Sequence, residues 1–264
     1  MTDRREGRLP LLSPIGQRAR VEPGTGRVAK RLRAVASAPR WAYGMGLTSY
    51  RYARRHVTGW APRRQESRQL VRVPARLVDA ARQAGVDVQH IDSGVGPFFH
   101  RRFTARVADP ELDAAALIRA VLDDPNEESP TEVAVFDKTG GDDSGSRPNH
   151  EVGDTWVVHM PGPWEAPVQL VERQERAFAF ATLQGHMEAG LIEFRAGDHE
   201  GGLTFEIETF ARSGDRLYDV IYDKLGFARE MQLHMWVYFC EQAARRAGGR
   251  LAEPVTVVTD RHVD

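Results

Sequence analysis

The sequence predicts an α+β fold in which a bent antiparallel sheet surrounds a long C-terminal helix. Short segments that alternate apolar and polar residues, as half-buried strands do, follow one another through the middle of the chain and end in Leu203–Phe210. From Asp215 to Ala247, apolar residues instead recur at helical spacing on one face. Because helices and strands do not alternate regularly, we expect an antiparallel sheet rather than a parallel one.

Composition places the chain among globular proteins. Its 264 residues are 41% hydrophobic and 28% charged, and no apolar run approaches the roughly 20 residues that cross a bilayer as a helix. The single cysteine, Cys240, cannot form an internal disulfide; beside Trp236 and Phe239 on the predicted helix it is interpreted as a buried apolar residue. The cytoplasm is the expected compartment.

Charge divides the chain into a basic extension and an acidic remainder. Residues 1–70 contain 16 Arg/Lys and 4 Asp/Glu, a balance of +12, whereas the rest contains 20 and 33, a balance of −13. We expect an extension over 1–75 that is partly disordered or helical, a domain over 92–250 and a tail over 251–264. The basic segment is interpreted as a solvated leader, as an arm docked on the acidic domain, or as a surface that meets phosphate.

Within the extension, Trp41–Trp60 interleaves aromatic residues with arginines. The favoured interpretation is a helix that packs its aromatic rings on the domain and leaves its arginines in water. Contact with an anionic membrane surface is the next alternative, because amphipathic rings suit the headgroup region. Nucleic acid is an unlikely partner, since no recognisable motif accompanies the arginines.

Local signals set the remaining elements in order. Asp109 is the expected cap of a helix that begins at Pro110 and ends near Asp124. Gly140–Val152 should be a surface loop, and Gly248-Gly249 should end the last helix. The other predicted elements are a helix over Leu77–Ala84 and strands over Phe98–Val107, Val133–Phe136, Thr155–Met160, Val168–Val171, Ala177–Leu183, Leu191–Ala196 and Val255–Thr259.

One segment carries a family resemblance. Residues 178–194 read Phe-Ala-Phe-Ala-Thr-Leu-Gln-Gly-His-Met-Glu-Ala-Gly-Leu-Ile-Glu-Phe, which resembles the signature of the domain of unknown function 1990 family, within the START-like (SRPBCC) helix-grip superfamily. Leu191 and Ile192 stand where that signature has polar residues, and Phe180 stands where it has tyrosine. The resemblance covers about 92–247 and implies a helix-grip fold.

A helix-grip fold implies a space between the sheet and the long helix that accepts a small apolar or amphipathic ligand, as in a carrier or a sensor. The residues expected to bind such a ligand are Trp164, Phe180, Phe205, Met231, Met235 and Trp236. An apolar lining would favour binding, convergent polar groups would favour an enzyme, and a filled interior would favour an interaction protein.

The enzyme alternative is a cyclase- or hydrolase-like reaction that uses His186 with Glu188 and Glu193. A histidine near carboxylates suits general acid–base catalysis or a metal ion, although the same residues also suit a turn held by hydrogen bonds to the backbone. No metal site is predicted, because the chain has neither an HExxH motif nor a cysteine cluster. No cofactor is predicted, because it has no Walker loop and no GxGxxG motif.

Glu206 and Glu208 lie on one face of a predicted strand, since they alternate with Phe205 and Ile207. If the apolar residues face the helix, both glutamates should face water and pair with Arg195 across the hairpin. The alternative, a carboxylate pair turned inward, would give the cavity a polar floor.

Overall fold

A computed structural model describes residues 43–67, 69, 71–85, 87–139, 150–160, 165–214 and 227–262. The described helices are α1 (43–57), α2 (Ala75–Gln83), α3 (Ala114–Asp123) and α4 (Phe227–Arg246), with a short 3₁₀ turn at Ile91–Ser93. The strands are β1 (Arg63–Ser67), β2 (Val95–Ala108), β3 (Val135–Lys138), β4 (Thr155–His159), β5 (Glu165–Arg173), β6 (Ala177–Thr182), β7 (Glu188–His199), β8 (Gly202–Ser213), β9 (Arg250–Leu251) and β10 (Thr256–His262).

All described strands belong to one sheet in the order β1-β10-β2-β8-β7-β6-β5-β4-β3, with β9 added beside β2. Every pairing is antiparallel except that of β1 with β10. The α+β helix-grip fold is therefore present, with α4 packed against the sheet. Among the described helices, none is long and apolar enough to cross a membrane.

The two faces of the sheet carry separate cores. The front face packs against α3 and α4 through residues such as Phe103, Phe194 and Phe205. The back face packs against α2 through Leu77 and its apolar neighbours. This division follows from the period-two alternation of the strands, which sends neighbouring side chains to opposite faces.

Helix α3 begins later than the sequence predicts. Its cap is Asp113, whose side chain accepts a hydrogen bond from the backbone N–H of Ala116 at 2.7 Å. Asp109 lies in the preceding turn, with a positive φ of 54°. The expectation that Asp109 caps the helix is thus wrong, because four further residues are needed to turn the chain away from β2.

The extension is joined to the sheet. Strand β1 is polar throughout and pairs in parallel with β10, while α1 lies on the outer side of α4. The favoured interpretation of Trp41–Trp60 holds in part for the residues described. The helix docks on the domain, and Tyr52 meets His234 of α4 with ring centroids 4.6 Å apart. However, Arg51 and Arg55 also contact the domain, and Tyr43 and Tyr50 are exposed. Residues 1–42, the first part of the expected extension, lie outside the described residues.

Candidate functional site

The space between α4 and the sheet contains a cluster of aromatic rings. Phe194 stacks on Phe178 with ring centroids 4.8 Å apart and contacts Phe239 of α4 at 5.5 Å. Trp236 meets Phe194 edge-on at 5.8 Å, and Phe205 stacks on Phe239 at 6.3 Å. These contacts fill the middle of the space, so any ligand has to lie beside this cluster rather than within it.

Four of the predicted ligand-binding residues come together here. Phe180, Phe205, Met235 and Trp236 are buried in the front core. Met231 lies one helical turn before Met235 and is half-buried. The predicted burial of Trp236 is confirmed, since 8% of its surface is exposed. Trp164 lies outside the described residues.

A buried hydrogen-bond donor lies in the same space. The indole nitrogen Nε1 of Trp236 is buried and has no hydrogen-bond partner among the described residues. An indole N–H usually finds an acceptor when it is buried, and leaving it unpaired costs roughly 1–3 kcal/mol. The structure therefore offers an unused donor at the helix–sheet interface.

A polar set closes one end of the interface. Arg101 on β2, of which 3% is exposed, donates from Nη1 to Gln232 Oε1 at 2.9 Å. Gln232 in turn donates from Nε2 to the two carboxylate oxygens of Glu188 at 3.0 and 3.2 Å. One arginine, one amide and one carboxylate thus span β2, α4 and β7. The sequence analysis missed Arg101 and Gln232, because only the register of β2 against α4 brings them together.

His186 occupies the turn before β7. Its Nδ1 accepts the backbone N–H of Glu188 at 2.8 Å, which requires that nitrogen to be unprotonated. Burial lowers the pKa of the ring to about 4, so the imidazole is neutral near pH 7. This hydrogen bond holds the turn, which is the structural role that the sequence analysis gave as the alternative to catalysis.

Glu193 lies away from the other two predicted catalytic residues. It is five residues after Glu188 on an unbroken strand, so the two side chains point to opposite faces. Glu193 is 1% exposed and accepts hydrogen bonds from Arg76 at 2.5 Å and from Arg195 at 3.2 Å on the back face. The structure therefore brings His186 and Glu188 together, whereas it places Glu193 away from both.

Glu193 belongs to a larger set of charged side chains, here called the back-face network. Its members are Arg76, His100, Glu193, Arg195, Glu206, Glu208 and Asp260. His100 Nε2 lies 2.6 Å from Glu208 Oε1, and its Nδ1 lies 2.9 Å from Asp260 Oδ2. Each ring nitrogen of His100 thus lies within hydrogen-bond distance of a carboxylate oxygen, one on β8 and one on β10.

The glutamates of β8 follow the prediction in part. Both lie on the face opposite the helix, and both accept hydrogen bonds from Arg195. Glu208, however, is buried rather than facing water. Burial acts to raise its pKa, but hydrogen bonds from His100 and Arg195 lower the pKa to about 2. With its partners in place, Glu208 is suited to holding strands together rather than to accepting a proton.

Metal ligation has little support in the described part of the chain, where no group of three or more His, Cys, Asp or Glu side chains is placed to hold an ion. Cys240 is fully buried on α4. Burial raises the pKa of its thiol, so the residue is the apolar core residue that the sequence predicts rather than a nucleophile.

A groove on the opposite side of α4 was not predicted. It has a volume of about 980 Å³ and runs between α1, the outer face of α4 and the segment that contains β9. Arginines dominate its lining among the described residues: Arg51, Arg54, Arg55, Arg245 and Arg250, beside a single acidic residue, Glu241. The interleaved arginines of Trp41–Trp60 were the sequence signal, although their partners on α4 lie some 190 residues away.

Solved structures with a similar fold cover about half of the chain. A protein of Thermobifida fusca is 16% identical over 56% of this chain and 93% of its own, with a TM-score of 0.37. The di-domain ARO/CYC protein StfQ of the steffimycin biosynthetic pathway is 10% identical over 60% of this chain and 54% of its own, with a TM-score of 0.39. The ginseng major latex-like protein 151 of Panax ginseng is 13% identical over 52% of this chain and 98% of its own, with a TM-score of 0.30.

At these identities and TM-scores the likenesses say nothing about a ligand or a reaction. A comparison with curated proteins found no match. A family model does match: residues 131–241 fit the domain of unknown function DUF1990, which confirms the resemblance carried by residues 178–194. Within this chain, residues 131–241 are thus similar to the DUF1990 family.

Proposed function

We propose that this protein binds a small apolar or amphipathic molecule between the sheet and α4. The observation that carries the proposal is the buried indole N–H of Trp236, which has no acceptor among the described residues. A ligand oxygen at this position would satisfy the donor. The polarisable, flexible side chains of Met231 and Met235 can adapt to the shape of an apolar body.

The polar set of Arg101, Gln232 and Glu188 gives such a molecule an orientation. These side chains lie at the same end of α4 as Met231, so an apolar body beside Trp236 would direct a polar group toward them. Sites for small molecules commonly combine apolar walls with a few placed polar groups. An amphipathic ligand fits this division better than a pure hydrocarbon.

The enzyme alternative has less support from the geometry. It would have to use His186 and Glu188 without Glu193, and His186 Nδ1 already accepts a backbone hydrogen bond. A neutral imidazole with a pKa of about 4 is also a poor base near pH 7. His186→Gln should therefore leave ligand binding intact, and loss of a measured turnover in that variant would instead favour the enzyme.

The test is native mass spectrometry of the protein purified from its own host. We expect an added small-molecule mass that disappears after unfolding and refolding. Met231→Trp should reduce the loaded fraction by filling the space, while Val152→Trp adds the same ring at an exposed position and should leave it unchanged. Equal loading of both variants, or a wild-type protein without any added mass, would contradict the proposal.

A further inference from the structure

The groove between α1 and α4 has the charge and shape of a binding site that is separate from the helix–sheet space. It contacts the outer face of α4, whereas the proposed ligand space lies on the inner face. Its lining is basic and includes two aromatic residues, Trp60 and Tyr238. Its volume of about 980 Å³ lies within the range of small-molecule sites.

Some of the charges in this groove are already used by the fold. Arg55 donates to both carboxylate oxygens of Glu241 at 2.7 Å and is 7% exposed. Arg51 donates to Glu132 at 2.8 Å and lies 4.1 Å from the ring centroid of Tyr238. These contacts dock α1 on α4 and on the segment that precedes β3.

Other arginines remain available for a ligand. Arg54 is exposed, and its side chain makes no hydrogen bond or ion pair within the described residues. Arg245 donates to the amide oxygen of Gln242 at 3.3 Å, and Arg250 is 71% exposed and donates to Asp109 at 3.1 Å. Three guanidinium groups therefore border one concavity with few competing carboxylates.

Helix α4 ends at this groove, and the negative pole of its dipole opposes an anion there. Arg245 and Arg246 stand in its last turn and offset that pole. The net potential of the groove is therefore set by the arginines rather than by the helix end.

The number of guanidinium groups selects the class of anion. A carboxylate can satisfy one guanidinium fork, whereas a phosphate presents several oxygens that can accept from two or three arginines at once. Trp60, which is 45% exposed at the edge of the groove, offers a face or edge to an apolar or planar group attached to the phosphate.

We propose that the groove between α1 and α4 binds a phosphate-bearing ligand through Arg54, Arg245 and Arg250, with Trp60 beside its apolar part. The phosphate comes from a soluble organic phosphate or from the headgroup of an anionic lipid. The second source agrees with the aromatic residues Tyr43 and Tyr50, which are exposed on α1.

The test uses the full chain and two probes. Pyrophosphate is titrated by calorimetry, and vesicles of phosphatidylcholine with 30% phosphatidylglycerol are sedimented, both at low and at physiological salt. The test variant is Arg54→Gln with Arg250→Gln. Its matched control, Arg82→Gln with Arg119→Gln, removes the same charge at exposed positions of α2 and α3.

We expect saturable, salt-sensitive binding that is at least tenfold weaker in the groove variant and unchanged in the control. Binding of pyrophosphate identifies a soluble phosphate, and binding of the vesicles alone identifies a lipid headgroup. The proposal is overturned if the wild type binds neither probe, or if both variants lose affinity equally. Binding of a single-stranded oligonucleotide in the absence of binding to either probe also overturns it, in favour of a nucleic-acid surface.

Discussion

His100 and Glu208 are joined by a hydrogen bond of 2.6 Å across two neighbouring strands, where both side chains are buried. The other nitrogen of the same ring, Nδ1, lies within hydrogen-bond distance of Asp260 Oδ2. The imidazole thus ties β2 to β8 and β10 at a depth where an unpaired charge would be costly. The back of the sheet combines these charged groups with the apolar core around Leu77, whereas its front is held by aromatic rings.

This relationship predicts how stability depends on acid. The pKa of Glu208 is about 2 in the folded protein, below the value of 4.5 for an unperturbed glutamate. Its contribution is therefore fully present above pH 4.5 and is lost as the pH falls toward 2. We expect a loss on the order of 2–4 kcal/mol over that range from this group. Urea unfolding at several pH values measures it.

Glu208→Gln supplies the comparison for that measurement. The variant should be less stable at pH 7, because His100 and Arg195 lose a charged acceptor, and its stability should depend less on pH between 4.5 and 2. A variant whose stability has the same pH slope as the wild type would show that Glu208 does not carry the acid response.

Glu128 should respond to pH in the opposite sense. Burial raises the pKa of this carboxyl to about 7, even though Arg246 stands 3.5 Å away. A raised acid pKa stabilises the fold below the unfolded value and loses that contribution as the pH rises through about 7. Glu128→Gln, measured by thermal unfolding, should therefore gain stability relative to the wild type at pH 8 and little at pH 4. A constant difference between the two proteins across this range would contradict the assignment.

The sequence predicts the sheet and the described part of the last helix well for a local reason. Alternation along Leu203–Phe210 and the burial of Trp236 both follow from spacing within one element, and each was found as predicted. The polar strand Arg63–Ser67 has no such pattern. It becomes a strand because β10 offers a free edge nearly 200 residues later, which a local pattern cannot reveal.

The candidate sites divide in the same way. Met235 and Trp236 could be predicted because they share one helical stripe. Arg101, Gln232 and the arginine groove could not, because each depends on contacts between elements far apart in the sequence. Glu193 was grouped with His186 by proximity along the chain, whereas the pleat of β7 turns it to the other face.

The docking of α1 can be tested with two glycines on the same helix. A Cβ at Gly44 would lie 2.6 Å from the carbonyl oxygen of Glu132 and 2.8 Å from Val133 Cγ1, whereas a Cβ at Gly46 would meet nothing within 4 Å. Gly44→Ala should therefore loosen α1, which limited trypsin digestion would detect as faster cleavage at Arg51 or Arg54. Gly46→Ala should protect these sites, since alanine favours a helix by up to about 1 kcal/mol over glycine. Equal digestion of both variants would indicate that α1 is not seated on residues 132–133.

The front core predicts a large cost for truncating Trp236. Trp236→Ala removes a buried ring that contacts Phe194 and Phe239, and it should cost roughly 3–5 kcal/mol. Trp60→Ala, at an exposed position outside the core, is the matched control and should cost much less. Denaturant unfolding measures both, and a loss below about 1 kcal/mol at Trp236 would show that the helical stripe does not face the core.

The indole N–H of Trp236 is the most direct reporter of the proposed ligand. Its resonance in a ¹H–¹⁵N spectrum can be assigned as the signal that is missing in Trp236→Phe. An organic extract of the protein purified from its own host is then added back to ligand-free protein. We predict that the Trp236 signal shifts as the N–H gains an acceptor. An unchanged Trp236 signal in the presence of an extract that native mass spectrometry shows to have bound would contradict a ligand in the helix–sheet space.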